Sequence, residues 1–473
     1  MLGWKQSGIF SNVALVEPTK TEFAEWRSSG SLPERYAEAI IRDRSSKKTL
    51  RASVNISDEC FCSVVLLEHV RNASTPLTVD ETVEAEEVAL KSSDVQSFLK
   101  KYYGIDRNSL HLVRCEPWTV GYQGFERERT HRLANCFMFT HANDSNDYMY
   151  AHPIEGIVPI VDLDAMQIFD IEVYEDYMPK HIPMNEYNYT TERLGDEYYN
   201  HSAQLKPLEI VQPEGPSFSF DGNVIRWHKW TLHIGFSPRE GMVLSDIHFE
   251  GRKILHRLSL AEMVVPYGAA YPPHNRKHAI DVSEYNFGSL LMPQTLGSCC
   301  LGHIAYLDAV TVHTDGSPAR CKNAICIHEQ DDGILWKQVN WHTNHTETRR
   351  RRVLAISSYA QILNYGYRPE VDFGPDGKIH FHIQHTGVSI HDMYLYRACR
   401  GLSFQSLLQQ SLQCRIANGW CREREQLRYR SCAWLAGAPP STCAVLMTTR
   451  FRHIFIRSAR LLTLLLIDLH AVV

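Results

Sequence analysis

The 473-residue sequence has no stretch approaching the ~18 consecutive apolar residues of a membrane-spanning helix. The nearest, Leu461–Val473, is too short and carries Asp468 and His470, so no membrane partner is expected. It has no CxxC pair. Its 13 cysteines are odd in number and scattered, which excludes a dense disulfide framework. It has no basic excess: 49 Lys and Arg stand against 54 Asp and Glu, and a net charge of −5 argues against a nucleic-acid partner. The opening residues, Met1-Leu2-Gly3-Trp4-Lys5-Gln6, show no basic segment leading into an apolar one, so an intracellular protein is expected. The polar bias of a disordered chain is missing too, since 44% of residues are hydrophobic and 10% aromatic.

One scarcity is local. Residues 391–473 contain no Lys, 11 Arg, only 4 acidic residues and 5 of the 13 Cys. That stretch carries +7, whereas residues 1–390 carry −12. Such a composition is what a shifted reading frame or a retained intron would give. Residues 391–473 are therefore read as an unrelated tail of low order.

What is present reads as small α+β modules followed by an all-β region. Thr19 caps a helix with Phe23 and Trp26 on one side, stopped by Gly30. Strands are expected at Ala37–Arg42 and Ser63–Leu67. Ser92-Ser93-Asp94 caps a helix with Val95, Phe98, Leu99 and Tyr102 at helical spacing, ended by Gly104. Strands follow at Ser109–Val113, Ala134–Phe139 and Ile157–Val161. The modules are placed at 1–75 and 76–175, with a polar linker or arm at 176–206. From Pro207 short strands alternate with turn residues. Asp221-Gly222 is a hairpin turn, and Trp230, Leu232, Ile234 and Phe236 alternate with polar or small residues. Further strands are expected at Met242–Phe249, Lys253–Leu260, His303–Tyr306, Ala309–His313, Ala324–His328, Val353–Ser357 and Lys378–Gln384. Residues 207–390 thus read as part of a large antiparallel β-sandwich.

Several segments carry a resemblance to a known family: Pro207–Phe218, Gly235-Phe-Ser-Pro-Arg-Glu-Gly241, Leu260-Ala-Glu-Met-Val-Val-Pro-Tyr-Gly268, Lys322-Asn-Ala-Ile-Cys-Ile-His-Glu329, Gly333-Ile-Leu-Trp336 and Asn364-Tyr365. Upstream, Cys115-Glu-Pro-Trp118 and Tyr150–Gly156 fit the same pattern. In order and spacing these resemble the copper-containing amine oxidases over roughly residues 10–390. The resemblance implies two small α+β domains, a large β-sandwich and a homodimer. It implies oxidation of primary amines by O2 to aldehydes, with release of NH3 and H2O2. The implied cofactors are Cu(II) and topaquinone, the latter made from a tyrosine of the chain.

By this resemblance Tyr365, in Asn364-Tyr365-Gly366-Tyr367, is the topaquinone precursor and Asn364 orients its ring. A quinone carbonyl is an electrophile that no ordinary side chain supplies; the amine adds to it as a Schiff base. Asp281 aligns with the catalytic base that removes the substrate's Cα proton, a role burial would favour by raising its pKa. Tyr267 aligns with the tyrosine that hydrogen-bonds the quinone oxygen. Cys300 and Cys326 align with a disulfide pair.

Copper ligands are not found. The family uses a His-x-His pair several tens of residues after the quinone and a distant third His. The His-x-His here, His380-Phe381-His382, follows Tyr365 too closely and aligns with another strand. Ile379, Phe381 and Ile383 are expected on one side of that strand, with His380, His382 and Gln384 on the other, a polar face. Three departures lie near Tyr365. Gly366 replaces an acid, Leu363 a common Gly, and Arg368-Pro369-Glu370-Val371 an aromatic run. The resemblance ends after Gly387-Val388-Ser389. Two alternatives to the enzyme stay open: an inactive fragment lacking copper ligands, and a local metal binder built on His380, His382 and His385. The compartment is expected to be cytoplasmic or peroxisomal, although the final residues are not a peroxisomal signal.

Overall fold

The computed structural model describes residues 8–57, 63–121, 124–141, 148–178, 208–266 and 272–387, with residues 182 and 206. The expected tail, and almost all of the 176–206 linker, lie outside the described residues.

Gly8–Leu15, Tyr36–Asp43, Lys48–Asn55 and Ser63–His69 form a four-stranded antiparallel sheet in chain order. The helix Lys20–Ser29 fills its first connection. Thr19 accepts the Glu22 N–H, Glu22 accepts the Thr19 N–H in return, and Gly30 closes the helix at φ 74°.

Two helices, Val79–Lys91 and Ser93–Tyr103, then pack on a second antiparallel sheet. That sheet comprises Val113–Thr119, Leu133–Thr140, Pro153–Ile154, Ile157–Asp162 and Gln167–Val173. Ser92 and Gly104 bound the second helix as expected. The first helix was not foreseen, because its buried face is Ala85 and Ala89 rather than large apolar residues. Its signal was the Thr78–Glu81 capping box. The strand expected from Ser109 begins only at Val113. Asp106 accepts the Asn108 and Ser109 N–H groups, and this turn leads into a 3-10 turn at Leu110–Leu112.

Among the described residues the β-region has two large sheets and a two-stranded one, Val264–Pro266 with His278–Ile280. A five-stranded meander runs Phe218–Asp221, Val224–Trp227, Trp230–Ser237, Gly241–Phe249 and Arg252–Ser259. The larger sheet orders Ile304–Val312, Pro318–Asn340, His345–Ser358, Tyr365–Phe373 and Ala360–Ile362, with Ile379–Gly387 also paired to Tyr365–Phe373. The two strands expected at His303–Tyr306 and Ala309–His313 are one strand with a register shift at Asp308. Trp230 joins the sheets: its Nε1 donates to the Gly374 carbonyl at 2.8 Å and its ring meets Phe373 at 5.0 Å. Glu329 is a second joint, accepting hydrogen bonds from Trp227 Nε1, Gln212 Nε2 and the Ser217 N–H. Burial raises the Glu329 pKa, but these donors outweigh it and hold the carboxyl below its usual range.

Pro369 sits inside the strand Tyr365–Phe373, where a missing N–H would ordinarily break a ladder. On one side that strand pairs with Ala360–Ile362 through Tyr365–Tyr367 and with His345–Ser358 from Glu370 onward. Pro369 lies in the gap between those two ladders, and on the strand's other side it stands opposite Ile383.

Buried polar contacts tie the small modules to each other and to the sandwich. Arg42 of the first module pairs with Asp164 of the second, within which Arg132 pairs with Glu81 while donating to the Pro76 carbonyl at 3.0 Å. Asn286 Nδ2 donates to the Ser11 carbonyl at 2.9 Å, and the Leu77 N–H donates to the Glu284 carbonyl at 2.7 Å. Both contacts grip the short helix Asp281–Tyr285, which positions the site, and its flank.

Candidate active site

Asp281 opens that helix and is 3% exposed. Its N–H donates to the Met263 carbonyl. Glu262 accepts the N–H groups of Val282 and Ser283, and Glu284 accepts the Ile280 N–H and the Thr119 hydroxyl. Two carboxylates therefore clamp the turn that aims Asp281. Its own carboxylate accepts the Tyr367 hydroxyl at 2.6 Å. Burial raises its pKa; the Tyr367 hydrogen bond partly offsets this, and Glu284 and Glu262 add to the rise, leaving it at about 6.

Tyr365 and Tyr367 begin the strand on the face turned toward the sandwich core. Their rings are 6.3 Å apart, and His385 packs against both, at 4.8 Å and 5.1 Å. Burial pushes the Tyr367 hydroxyl far above its usual range and the His385 imidazole below its own. The structure thus brings Asp281, Tyr365 and His385 around Tyr367, with buried Asn364 next to Tyr365 in the chain. Tyr367 was not singled out from sequence. The Asn-Tyr-x-Tyr spacing, which puts both tyrosines on one face, was the available signal.

The turn before Tyr365 explains two departures from the family pattern. Leu363 holds φ 50°, a left-handed conformation that suits glycine and strains leucine by about 1–2 kcal/mol. Its side chain compensates by packing into the buried clusters on either side. At Gly366 an added Cβ would lie 2.0 Å from the Tyr359 hydroxyl oxygen. Tyr359 fills the space an acidic side chain would need, so Gly366 and Tyr359 form a matched pair.

A second wall faces this turn. Trp118, Phe137, Phe139, Tyr150 and Val158 pack together with Ala279 and Leu363, near Asp281 and Tyr365 respectively. Buried Lys277 sets its ammonium 4.1 Å over the Trp118 ring, and Glu116 accepts the Tyr150 hydroxyl. Burial drives Lys277 down and Glu116 up.

Tyr267 lies outside the described residues. Cys300 and Cys326 are joined through their sulfurs, bracing the strand Pro318–Asn340 against the preceding loop. Phe381 is buried in the core with Ile379 and Ile383 packed against it, and His380 and His382 lie on the opposite face. His385 does not join them. Alternation along the strand places it on the tyrosine face, so the alternative three-histidine cluster is split, while His380 and His382 lie on one face as expected.

A three-imidazole copper site needs three histidines to converge. Among the described residues, two groups could offer three metal-ligand atoms: Cys300–Cys326–His328 and Glu370–Asp372–His382. In the first the sulfurs are spent on each other, and each group has one imidazole. The described residues do not fit the family's copper.

Residues 219–412 match the family model "Copper amine oxidase, enzyme domain", and residues 80–192 match "Copper amine oxidase, N3 domain". The first match runs past Ser389, where the resemblance was expected to end. The chain is 37% identical over 383 residues to a primary amine oxidase of Arthrobacter sp. (strain P1), covering 80% of this chain and 56% of that protein. It is 36% identical to copper amine oxidase 1 of Schizosaccharomyces pombe, covering 80% and 53%. The chain spans about half the length of the curated relatives it matches. The fold is similar to a copper-containing benzylamine oxidase from Hansenula polymorpha, with TM-score 0.71, 28% identity, and 80% and 60% of the two chains covered. Two family models that together cover most of the chain, these relatives and this shared fold lead to one conclusion: the chain belongs to the copper amine oxidase family.

Proposed function

We propose that this chain carries the amine-binding and proton-abstracting part of a primary-amine oxidase, which turns primary amines and O2 into aldehydes, NH3 and H2O2. The carrying observation is Asp281: a buried carboxylate with its pKa at about 6, hydrogen-bonded to Tyr367 beside Tyr365. A carboxyl poised near neutral pH is a better base than an ordinary aspartate. Tyr365, half-buried between Tyr367 and His385, is the residue that would carry topaquinone, with Asn364 orienting the ring and Tyr267 hydrogen-bonding the quinone oxygen. When present, that group supplies an electrophilic carbonyl and takes up two electrons. Asp281 takes the proton from the substrate carbon next to nitrogen, and Tyr367 holds its carboxylate in place.

The enzyme reading divides the chain as 1–75, 76–175 and 207–390, joined through 176–206. It also implies a homodimer. Ile334, Trp336, Val339 and Trp341 are exposed on the hairpin of Pro318–Asn340 and His345–Ser358, Trp341 by 81%, as a partner-facing arm would be. A peroxisomal or cytoplasmic setting goes with it; relatives include a "Peroxisomal primary amine oxidase" from Pichia angusta. No helix among the described residues is long and apolar enough to cross a membrane.

The test is to express the full chain with copper and to look for quinone. Redox staining and a phenylhydrazine adduct on the Tyr365 peptide are expected. Asp281→Asn should keep the adduct and lose turnover by about 10²–10⁴-fold. The described residues lack a three-imidazole site, which favours a second reading: a family fragment without turnover. A folded, copper-supplied chain with no quinone signal would establish that second reading.

A further inference from the structure

On the face of the sheet opposite Tyr365, Arg368, Glu370 and Asp372 occupy alternate positions of one strand. The next strand sets His382 across from Glu370 and His380 across from Asp372. His382 stands between both carboxylates. Its Nε2 is 2.9 Å from Glu370 Oε1, and its Nδ1 is 3.7 Å from Asp372 Oδ2. Glu370 is 3% exposed, and the buried Oδ1 of Asp372 has no hydrogen-bond partner. Arg368 engages the other Glu370 oxygen, Oε2, and Ser357. One donor atom from each of Glu370, Asp372 and His382 lies within 4.8 Å of the other two.

We propose that Glu370, Asp372 and His382 form a divalent-cation site of the nitrogen-and-oxygen class, which Zn2+ would fill. One imidazole and two carboxylates are donors that Zn2+ accepts, and three protein ligands leave a position for water. Zinc binds such atoms at about 2.0–2.2 Å, so ligands around it stand about 3.3 Å apart. His382 gives one ion a single nitrogen, and the three donor atoms, within 4.8 Å of one another, must draw together by up to about 1.5 Å to reach that spacing. A bound cation would also satisfy the lone Asp372 oxygen. This site is separate from the amine chemistry: it faces away from Tyr365, includes neither His380 nor His385, and stands whether or not the chain oxidises amines.

The test uses the full chain without a histidine tag, stripped with EDTA and titrated with Zn2+ by equilibrium dialysis. Co2+ serves as a spectroscopic substitute through its visible ligand-field bands. One ion per chain is expected at this site. Glu370→Gln and His382→Gln should each weaken uptake by about 100-fold or more and remove the Co2+ bands. His385→Gln should leave both unchanged. Circular dichroism checks folding; if Glu370→Gln fails to fold, Asp372→Asn with His382→Gln makes the same comparison. A folded wild-type chain that takes up no ion, or uptake that survives both His382→Gln and Asp372→Asn, would overturn the proposal.

Discussion

Asp281→Asn should stabilise the protein at neutral pH while removing its base. Burial, only partly offset by Tyr367 and reinforced by Glu284 and Glu262, raises the Asp281 pKa from the ordinary 3.8 to about 6. Between those values the folded chain holds a proton that the unfolded chain has released. Stability therefore falls as pH rises through this window, and above about pH 6 the full penalty applies. A rise of about 2 units corresponds to about 3 kcal/mol at 1.36 kcal/mol per unit. Asparagine keeps an oxygen to accept the Tyr367 hydroxyl and carries no charge, so it escapes the penalty. Urea denaturation of both proteins at pH 4, 6 and 8 measures the difference; subtracting the variant removes the other carboxylates from the comparison. The expected gain is near zero at pH 4 and about 2–3 kcal/mol at pH 8. A constant difference across that range, or a variant less stable at pH 8, would refute the idea that Asp281 is held against its own charge.

Three further outcomes follow from packing. Leu363→Ile keeps the side-chain volume but places a β-branched residue at φ 50°, and should cost at least about 1 kcal/mol by denaturant titration. Gly366→Ala should cost about 1–3 kcal/mol against the Tyr359 hydroxyl. Adding Tyr359→Ala should then give a double-mutant coupling of about 0.5–3 kcal/mol, which strictly additive losses would contradict. Arg132→Met takes the nearer of two arginines from the buried Glu81 carboxylate, leaving Arg44 at 3.5 Å, and should cost about 3–5 kcal/mol, whereas Arg132→Met with Glu81→Gln, which keeps an oxygen for the Thr78 cap, should recover most of it, as read by thermal unfolding.

The parts of the fold written in local chemistry were legible. Thr19, Gly30, Ser92 and Gly104 mark helix ends because capping is decided within a turn. Alternation along Ile379–Gly387 sorted Phe381 into the core and His380 and His382 away from it. The helix Val79–Lys91 was hidden because alanine makes a narrow buried stripe that large-residue periodicity does not detect. The 23-residue strand Pro318–Asn340 was visible only at its buried centre, since its outer half lies in solvent and needs no apolar alternation. At the site, Asp281 and Tyr365 were read from flanking residues that resemble a family. Tyr367 was not, because its importance lies in a hydroxyl pointing at a residue 86 positions earlier. The Gly366–Tyr359 match was likewise invisible: the six residues between them include a reversal of the chain, and only that turn puts ring against backbone.

The separation between Tyr367 and Asp281 has a bearing on how the protein matures. A contact spanning 86 residues carries a large chain-closure cost and is made only when the tertiary structure brings its two ends together. Until then Asp281 sits in water and ionises like any other aspartate. Its altered acidity is thus made by tertiary closure and is absent from the nascent chain. A carboxyl that titrates near pH 6 would mark molecules whose sandwich has closed around the helix Asp281–Tyr285, and would distinguish them from compact chains that have not.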